Sequence, residues 1–162
     1  MRTILLVLVA SATSLFSQID FAASKVAAQK ALAQGEWKQA RALLEPLAKQ
    51  MPDEIEINYW LAQSYRKSGD LAKAEKTTQW LLDLRPDYPG GLWEAALLRE
   101  EFGDLAGSVD LLNMVYHRTP QTDTKLRLRI LEDLARVFAK QKNTKNEAIL
   151  RQEIARLKDK KS

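Results

Sequence analysis

Few side chains in this sequence of 162 residues could support catalysis. His117 is the single histidine, and no cysteine is present to serve as a nucleophile, a metal ligand or a redox centre. Glu100 and Glu101 are adjacent, but neighbouring side chains on a helix point in different directions and do not act together on one bond. The sequence also lacks a glycine-rich phosphate loop and the ligand spacings of metal sites. It therefore predicts a non-enzymatic protein without a cofactor or metal, in which His117 is structural or exposed.

Glycine and proline recur at a fixed interval along the chain. Three glycines and three prolines are each separated by 34 residues. They are Gly35, Gly69 and Gly103, and Pro52, Pro86 and Pro120. Glycine and proline commonly mark the ends of helices, and both recur here at the same 34-residue interval. This shared period indicates an internal repeat. The chain is thus divided into copies over residues 21–54, 55–88 and 89–122.

The central copy has the pattern of two helices joined by a tight turn. Two apolar faces have helical spacing, the first formed by Asn58, Leu61, Ala62 and Tyr65 and the second by Ala74, Thr78 and Leu81. Between them, Gly69 can adopt the left-handed conformation that ends a helix, and Asp70 can cap the next one. Pro86 ends the second helix. Such a pair cannot bury its apolar faces alone, so the copies must stack on one another.

These residues resemble the tetratricopeptide repeat family. The second copy carries the family pattern at Leu61, Ala62, Tyr65, Gly69, Asp70, Ala74, Leu81 and Pro86. The third copy departs from it at Arg99, where the family has tyrosine, and at Ser108, where it has alanine. The resemblance implies an all-α fold, a right-handed α-α superhelix of tetratricopeptide-type helix pairs.

The family resemblance also implies a binding surface, because the first helix of each pair lines a concave groove in that family. The equivalent groove residues are Lys25, Gln29 and Leu32, then Tyr59, Gln63, Arg66 and Lys67, and finally Trp93, Leu97, Glu100 and Glu101. Aromatic rings beside cations and amides are typical of peptide or helix recognition. We expect Tyr59 and Trp93 to anchor a partner and Arg66 to bind a carboxylate. The family's clamp for acidic chain ends is not expected, since only Lys25 approaches its Lys/Asn/Arg set.

The first residues have the composition of a secretory signal. A positive start at Arg2 precedes the apolar run TILLVLVASATSLFS, which ends in small residues. Residues 1–23 are therefore predicted to be a signal peptide that directs export to a bacterial periplasm. The alternatives are an uncleaved anchor in the inner membrane and a helix packed on the first repeat.

Beyond Pro120 the repeat pattern weakens. Residues 123–162 predict a helix over about 122–141, a polar turn at 142–145 and a last amphipathic helix, which we interpret as a degenerate fourth pair that caps the stack. This segment has twelve Lys/Arg against six Asp/Glu, whereas residues 24–122 have twelve against fourteen. The basic end is a solvated tail, or it contacts anionic phospholipid headgroups or an acidic partner. No motif indicates nucleic-acid binding.

Taken together, these patterns predict a module that binds a peptide or helix of another protein in the groove. We expect it to act as an adaptor or accessory scaffold in an envelope or periplasmic assembly. Two alternatives remain open. One is a homo-oligomer that self-associates through the repeat face, and the other is a factor that contacts anionic membrane through the basic C-terminal helix.

Overall fold

The computed structural model describes residues 21–159, which form helices and short turns without a strand in that range. The first helix, α1, covers residues 21–33. The others are α2 (Trp37–Gln50), α3 (Ile55–Lys67), α4 (Leu71–Leu84), α5 (Pro89–Glu101), α6 (Leu105–Arg118), α7 (Thr124–Lys140) and α8 (Thr144–Asp159). The all-α prediction is confirmed. The chain divides into two compact units, Met1–Ala74 and Glu75–Ser162, with the boundary inside α4.

The turns inside the first three pairs have the same geometry. Their glycines have positive φ values of 73°, 86° and 84° at Gly35, Gly69 and Gly103. The amide that follows each glycine donates to a carbonyl five residues back, at 2.9 Å in all three turns: Glu36 to Ala31, Asp70 to Tyr65 and Asp104 to Arg99. These bonds satisfy carbonyls at the helix end. Glycine recurs at this position because it adopts positive φ without a steric penalty.

The turn between α7 and α8 has the same hydrogen bonding with a lysine in place of glycine. Lys142 has a φ of 57°, and the Asn143 amide donates to the Phe138 carbonyl at 2.9 Å. Lys142 lies 73 residues after Gly69, five more than two repeats of 34. The fourth pair thus contains five residues more than the others before this turn. Four of the five extra residues lie in the first helix of the pair, since α7 has 17 residues and α5 has 13.

The core of the first unit lies where α2 packs on α3. Leu44 from α2 is fully buried, and Leu61 and Tyr65 from α3 are 5% and 7% exposed. The Tyr65 hydroxyl donates to Glu45 Oε1 at 2.9 Å. Burial, together with this hydrogen bond to a carboxylate, raises the pKa of Tyr65 to about 12. The apolar face predicted for the central copy is therefore a buried face that carries one satisfied hydroxyl.

The core of the second unit is formed by α5, α6, α7 and α8. Its fully or nearly fully buried side chains include Leu92, Ala96, Leu112, Val115, Ile130, Leu131, Leu134 and Val137, with Ile154 contributed by α8. Two buried hydroxyls, those of Thr78 and Ser108, have no hydrogen-bond partner among the described residues. A buried hydroxyl without a partner costs free energy, so the departure from alanine at Ser108 is a local destabilisation.

Candidate functional site

In the first unit, the predicted groove residue Lys25 on α1 contacts two side chains of α3. Lys25 on α1 places its Nζ 2.6 Å from Glu56 Oε2 on α3. The same Nζ lies 5.5 Å from the centroid of the Trp60 ring, also on α3. A partly exposed ion pair combined with a cation–π contact orients one helix along the other. With the two helices held together in this way, we expect their groove residues to lie on a common side.

The first-unit groove residues differ in how accessible they are. Gln29 and Lys67 are exposed, whereas Lys25, Leu32, Tyr59 and Gln63 are half-buried. Arg66 is only 8% exposed and already has a partner within the protein, so its guanidinium is not open to a carboxylate ligand in this conformation. The accessible chemistry of this face is thus amides, a phenol ring and lysine ammonium groups.

In the second unit, two of the predicted groove residues of α5, Trp93 and Glu100, contact α7. Trp93 is 9% exposed, and its indole Nε1 donates to Asp133 Oδ2 at 2.8 Å. The Arg129 guanidinium carbon lies 4.8 Å from the Trp93 ring centroid. The ring and its N–H group are both engaged by α7, so Trp93 is not presented as a free anchor. Leu97 on the same helix is half-buried.

Glu100 is the most strongly held of these residues. Its side chain is 5% exposed, and it accepts two hydrogen bonds from Arg136, Nε to Oε1 at 2.9 Å and Nη2 to Oε2 at 2.7 Å. Lys140 Nζ adds an ion pair at 2.8 Å from Oε1. Burial acts to raise the pKa of Glu100, but the bonds and charges of Arg136 and Lys140 outweigh it, so this pKa lies below its usual value. The carboxylate is charged and bridges α5 to α7.

Arg136 extends this network. Its guanidinium also donates to Asp133 Oδ1. Arg136 therefore links Asp133, which accepts a hydrogen bond from Trp93, to Glu100. The hydrogen bond to Glu100 is the main reason that the pKa of Arg136 is raised. Glu101, the neighbour of Glu100, is exposed.

Sequence reasoning assigned none of the residues that α7 contributes here. The available signal was the excess of basic residues after position 122, which we interpreted as a tail or a membrane contact. Three of these cations, Arg129, Arg136 and Lys140, instead contact α5. The partner-binding role of the groove residues stays a prediction, with the open positions concentrated on α1 and α3.

Two further expectations from the sequence concern His117 and the N-terminal segment. His117 is exposed near the end of α6, with its ring edge-on to Tyr116 at 5.9 Å between centroids. Most of the predicted signal peptide or anchor, residues 1–20, lies outside the described residues, while residues 21–23 belong to α1. None of the helices between residues 21 and 159 combines the length and apolar character needed to cross a bilayer.

Comparison with known proteins identifies the repeat. Residues 31–99 match the family model described as tetratricopeptide repeat. A search of curated proteins finds no match to this sequence.

Three solved structures show the same fold at low sequence identity. One is a putative kinesin light chain with nearly identical TPR-like repeats from Podosopora anserina, at TM-score 0.67 and 18% identity over 85% of this chain and 74% of that one. Another is the type III secretion translocator chaperone SycD of Yersinia enterocolitica, at TM-score 0.62 and 16% identity over 74% of this chain and 83% of that one. PcrH, in complex with the chaperone binding region of PopD, has TM-score 0.62 and 16% identity over 73% of this chain and 90% of that one. This match over residues 31–99 and the helix pairs described above show that the chain contains tetratricopeptide-type repeats.

Proposed function

We propose that this protein is a non-enzymatic interaction module that binds a peptide or helix of another protein on the common side of α1 and α3. The observation that carries the proposal is the set of exposed and half-buried polar and aromatic side chains there. Gln29 and Lys67 are exposed, and Tyr59 and Gln63 are half-buried on helices that the Lys25 contacts hold together. Such a mixture supplies ring area for affinity and hydrogen bonds for register.

The relatives in fold support a binding role. SycD is a translocator chaperone, and PcrH has been solved with the chaperone binding region of PopD. The finer role that we propose is an adaptor or accessory scaffold in an assembly of a bacterial envelope. That location rests on the pattern of residues 1–23 and on nothing in the helices themselves.

Site-specific photo-crosslinking tests the surface. A photoreactive phenylalanine analogue replaces Gln63 on α3, in the full chain and in the producing cells, and the adducts are identified by mass spectrometry. The matched control places the same analogue at Lys49, an exposed position on α2. We expect one dominant protein to be captured from position 63 and not from position 49. Equal capture from both positions, or none from position 63, would contradict the assignment of this surface.

Substitution of Tyr59 separates binding from folding. Tyr59→Ala should reduce capture from position 63, since half-exposed ring area is lost at the surface where the partner lies. It should leave the thermal midpoint almost unchanged, which circular dichroism measures directly. A large fall in the midpoint would show that Tyr59 belongs to the core instead.

The same crosslinking experiment distinguishes the alternatives. Capture of this chain by itself would identify a homo-oligomer through the repeat face. Sedimentation with vesicles of anionic phospholipid, compared with neutral vesicles, measures membrane association. Binding that is lost at high salt and requires the anionic lipid would support the contact with membrane through the basic C-terminal segment.

A further inference from the structure

Comparison of the two units at the repeat interval reveals a loss of core volume in the second. Three large side chains of the first-unit core have small or charged equivalents 34 residues later. Leu44 corresponds to Thr78, Leu61 to Ala95 and Tyr65 to Arg99. In the first unit these three side chains are at most 7% exposed. The second unit therefore lacks two leucine side chains and a tyrosine ring at equivalent positions.

The first unit shows what fills this place when it is occupied. Two cations lie near the Tyr65 ring: the Arg41 guanidinium carbon is 5.9 Å from its centroid and the Lys73 ammonium is 5.4 Å from it. Its hydroxyl donates to Glu45. The site thus holds a phenol, with cations near the ring and an oxygen acceptor at its tip, which is a favourable environment for an aromatic side chain.

In the second unit the equivalent place is a cavity. Arg99 turns outward, half exposed, and its Nη1 contacts Asp104 Oδ2 at 2.5 Å. A cavity of about 220 Å³ remains between α4 and α5, with Thr78, Leu82, Ala95, Leu98 and Phe102 among its lining residues. Because one water takes up about 30 Å³ in the liquid, this space is large enough for a ring.

The walls of this cavity offer an apolar surface and polar groups that could contact a ligand. Phe102 is 52% exposed, which is high for a large apolar side chain. The Thr78 hydroxyl is buried and without a partner among the residues described. Gln79, which corresponds to Glu45, donates its amide N–H to Asp83 at 2.7 Å and keeps its amide oxygen as an acceptor.

We propose that this cavity binds a tyrosine side chain of a partner protein in the position that Tyr65 takes in the first unit. The ring packs against Phe102 and Leu98, the Arg99 guanidinium supplies a nearby cation, and the Gln79 oxygen accepts from the phenol. The site is distinct from the surface proposed on α1 and α3. It also uses the opposite side of α5 from Trp93, because positions 95, 98, 99 and 102 lie half a helical turn from positions 93, 97 and 100.

Titration with p-cresol, which has the structure of the tyrosine side chain, tests the cavity directly. The full chain is labelled with ¹⁵N, and amide shifts are followed with p-cresol and with cyclohexanol as a non-aromatic control. We expect saturable shifts centred on Thr78, Ala95 and Leu98 for p-cresol alone. Shifts that are linear in concentration, or equal with both probes, would overturn the proposal.

Filling the cavity from within provides the matched variants. Arg99→Tyr restores the residue type found at position 65, so we expect the saturable p-cresol shifts to weaken at least tenfold and the thermal midpoint to rise. Arg118→Tyr places the same residue at an exposed position of α6 and should change neither. Ala95→Leu restores the residue type at position 61 and provides a second block if Arg99→Tyr does not fold.

The outcomes of these variants are decisive for the proposal. Unchanged p-cresol binding in both filled variants would place the ligand elsewhere and overturn it. Self-association that is lost in Arg99→Tyr, measured by sedimentation velocity, would overturn the assignment to another protein and identify a second copy as the source of the ring. Loss of p-cresol binding with a monomeric protein throughout would support the site as stated.

Discussion

Replacing Arg136 by methionine should destabilise the second unit, because it leaves the Glu100 carboxylate with only one of its two cationic partners. The Glu100 side chain is 5% exposed, so water cannot replace the lost donors. Arg136 supplies two of the hydrogen bonds to this carboxylate, at 2.9 and 2.7 Å. Methionine keeps a similar apolar stem, which limits the change to the charged head group.

The magnitude follows from what remains around Glu100. A hydrogen bond to a charged group contributes about 1.5–3 kcal/mol, and removing one partner of a buried ion pair costs about 3–5 kcal/mol. Lys140 still lies 2.8 Å from Oε1, so the carboxylate is not left wholly uncompensated. We therefore expect a loss of about 2–3 kcal/mol in the free energy of unfolding, which lowers the thermal midpoint by about 4–12 °C in a chain of this size.

Urea unfolding followed by circular dichroism measures this loss, and its pH dependence identifies the cause. The pKa of Glu100 in the folded protein lies below its ordinary value of 4.5. The carboxylate thus contributes stability that is fully present above pH 4.5 and is lost as the pH falls through the folded-state pKa. The difference between the wild type and Arg136→Met should be constant near neutral pH and should shrink in acid.

A double-mutant cycle with Glu100→Gln isolates the pair. The cost of Arg136→Met should fall by about 1 kcal/mol or more when position 100 is neutral, because the two substitutions share one interaction. A cost below about 0.5 kcal/mol at neutral pH would refute this reasoning, since that is the range of an ordinary surface substitution. An equal cost in the Glu100→Gln background would refute it as well.

Three further substitutions probe the helix pairs themselves. Leu61→Ala should lower the free energy of unfolding by about 2–5 kcal/mol in urea titrations, since it truncates a side chain that is 5% exposed, and a loss below 1 kcal/mol would contradict this burial. Ser108→Ala should raise the thermal midpoint, with a gain of about 1 kcal/mol from removing a buried hydroxyl without a partner, and a fall would mean that the hydroxyl is satisfied. Lys142→Gly should also be stabilising, by about 0.5–1 kcal/mol in the same assay, because its φ is 57°; the matched Lys145→Gly, inside α8, should be destabilising.

The helix pairs could be predicted because their determinants are local. Gly69 and Asp70 define a turn through their own backbone and side chain, and the 34-residue interval repeats that turn. The fourth turn was harder to locate, because the residue in the left-handed conformation is Lys142 and not a glycine, the residue type that usually indicates such a turn. Its hydrogen bond from Asn143 to Phe138 depends on the conformation adopted and not on a recognisable residue type.

The accessibility of the binding surface could be predicted only in part. The position of a residue on its helix follows from the repeat, but its exposure depends on what packs against that helix. Trp93 is covered by Asp133, 40 residues away, and Glu100 by Arg136, 36 residues away. Both partners lie in the helix pair with the weakest family pattern. The sequence of that pair could not be aligned with the other repeats well enough to predict which of its residues contact α5. The cavity beside Ala95 was equally hidden, because it arises from three separate substitutions that only the fold brings together.

The last helix has charged side chains where the second pair has buried ones. When Lys142 is aligned with Gly69, Glu147 and Arg151 fall at the positions of the buried Ala74 and Thr78. They form an ion pair at 2.7 Å, in which the glutamate side chain is 22% exposed and the arginine side chain 65% exposed. Any further helix pair that docks there, from a second copy above all, would have to strip water from both charges. A stack of repeats is otherwise an open, head-to-tail design that can polymerise into filaments. We therefore expect this pair of charges to oppose the docking of a further helix pair.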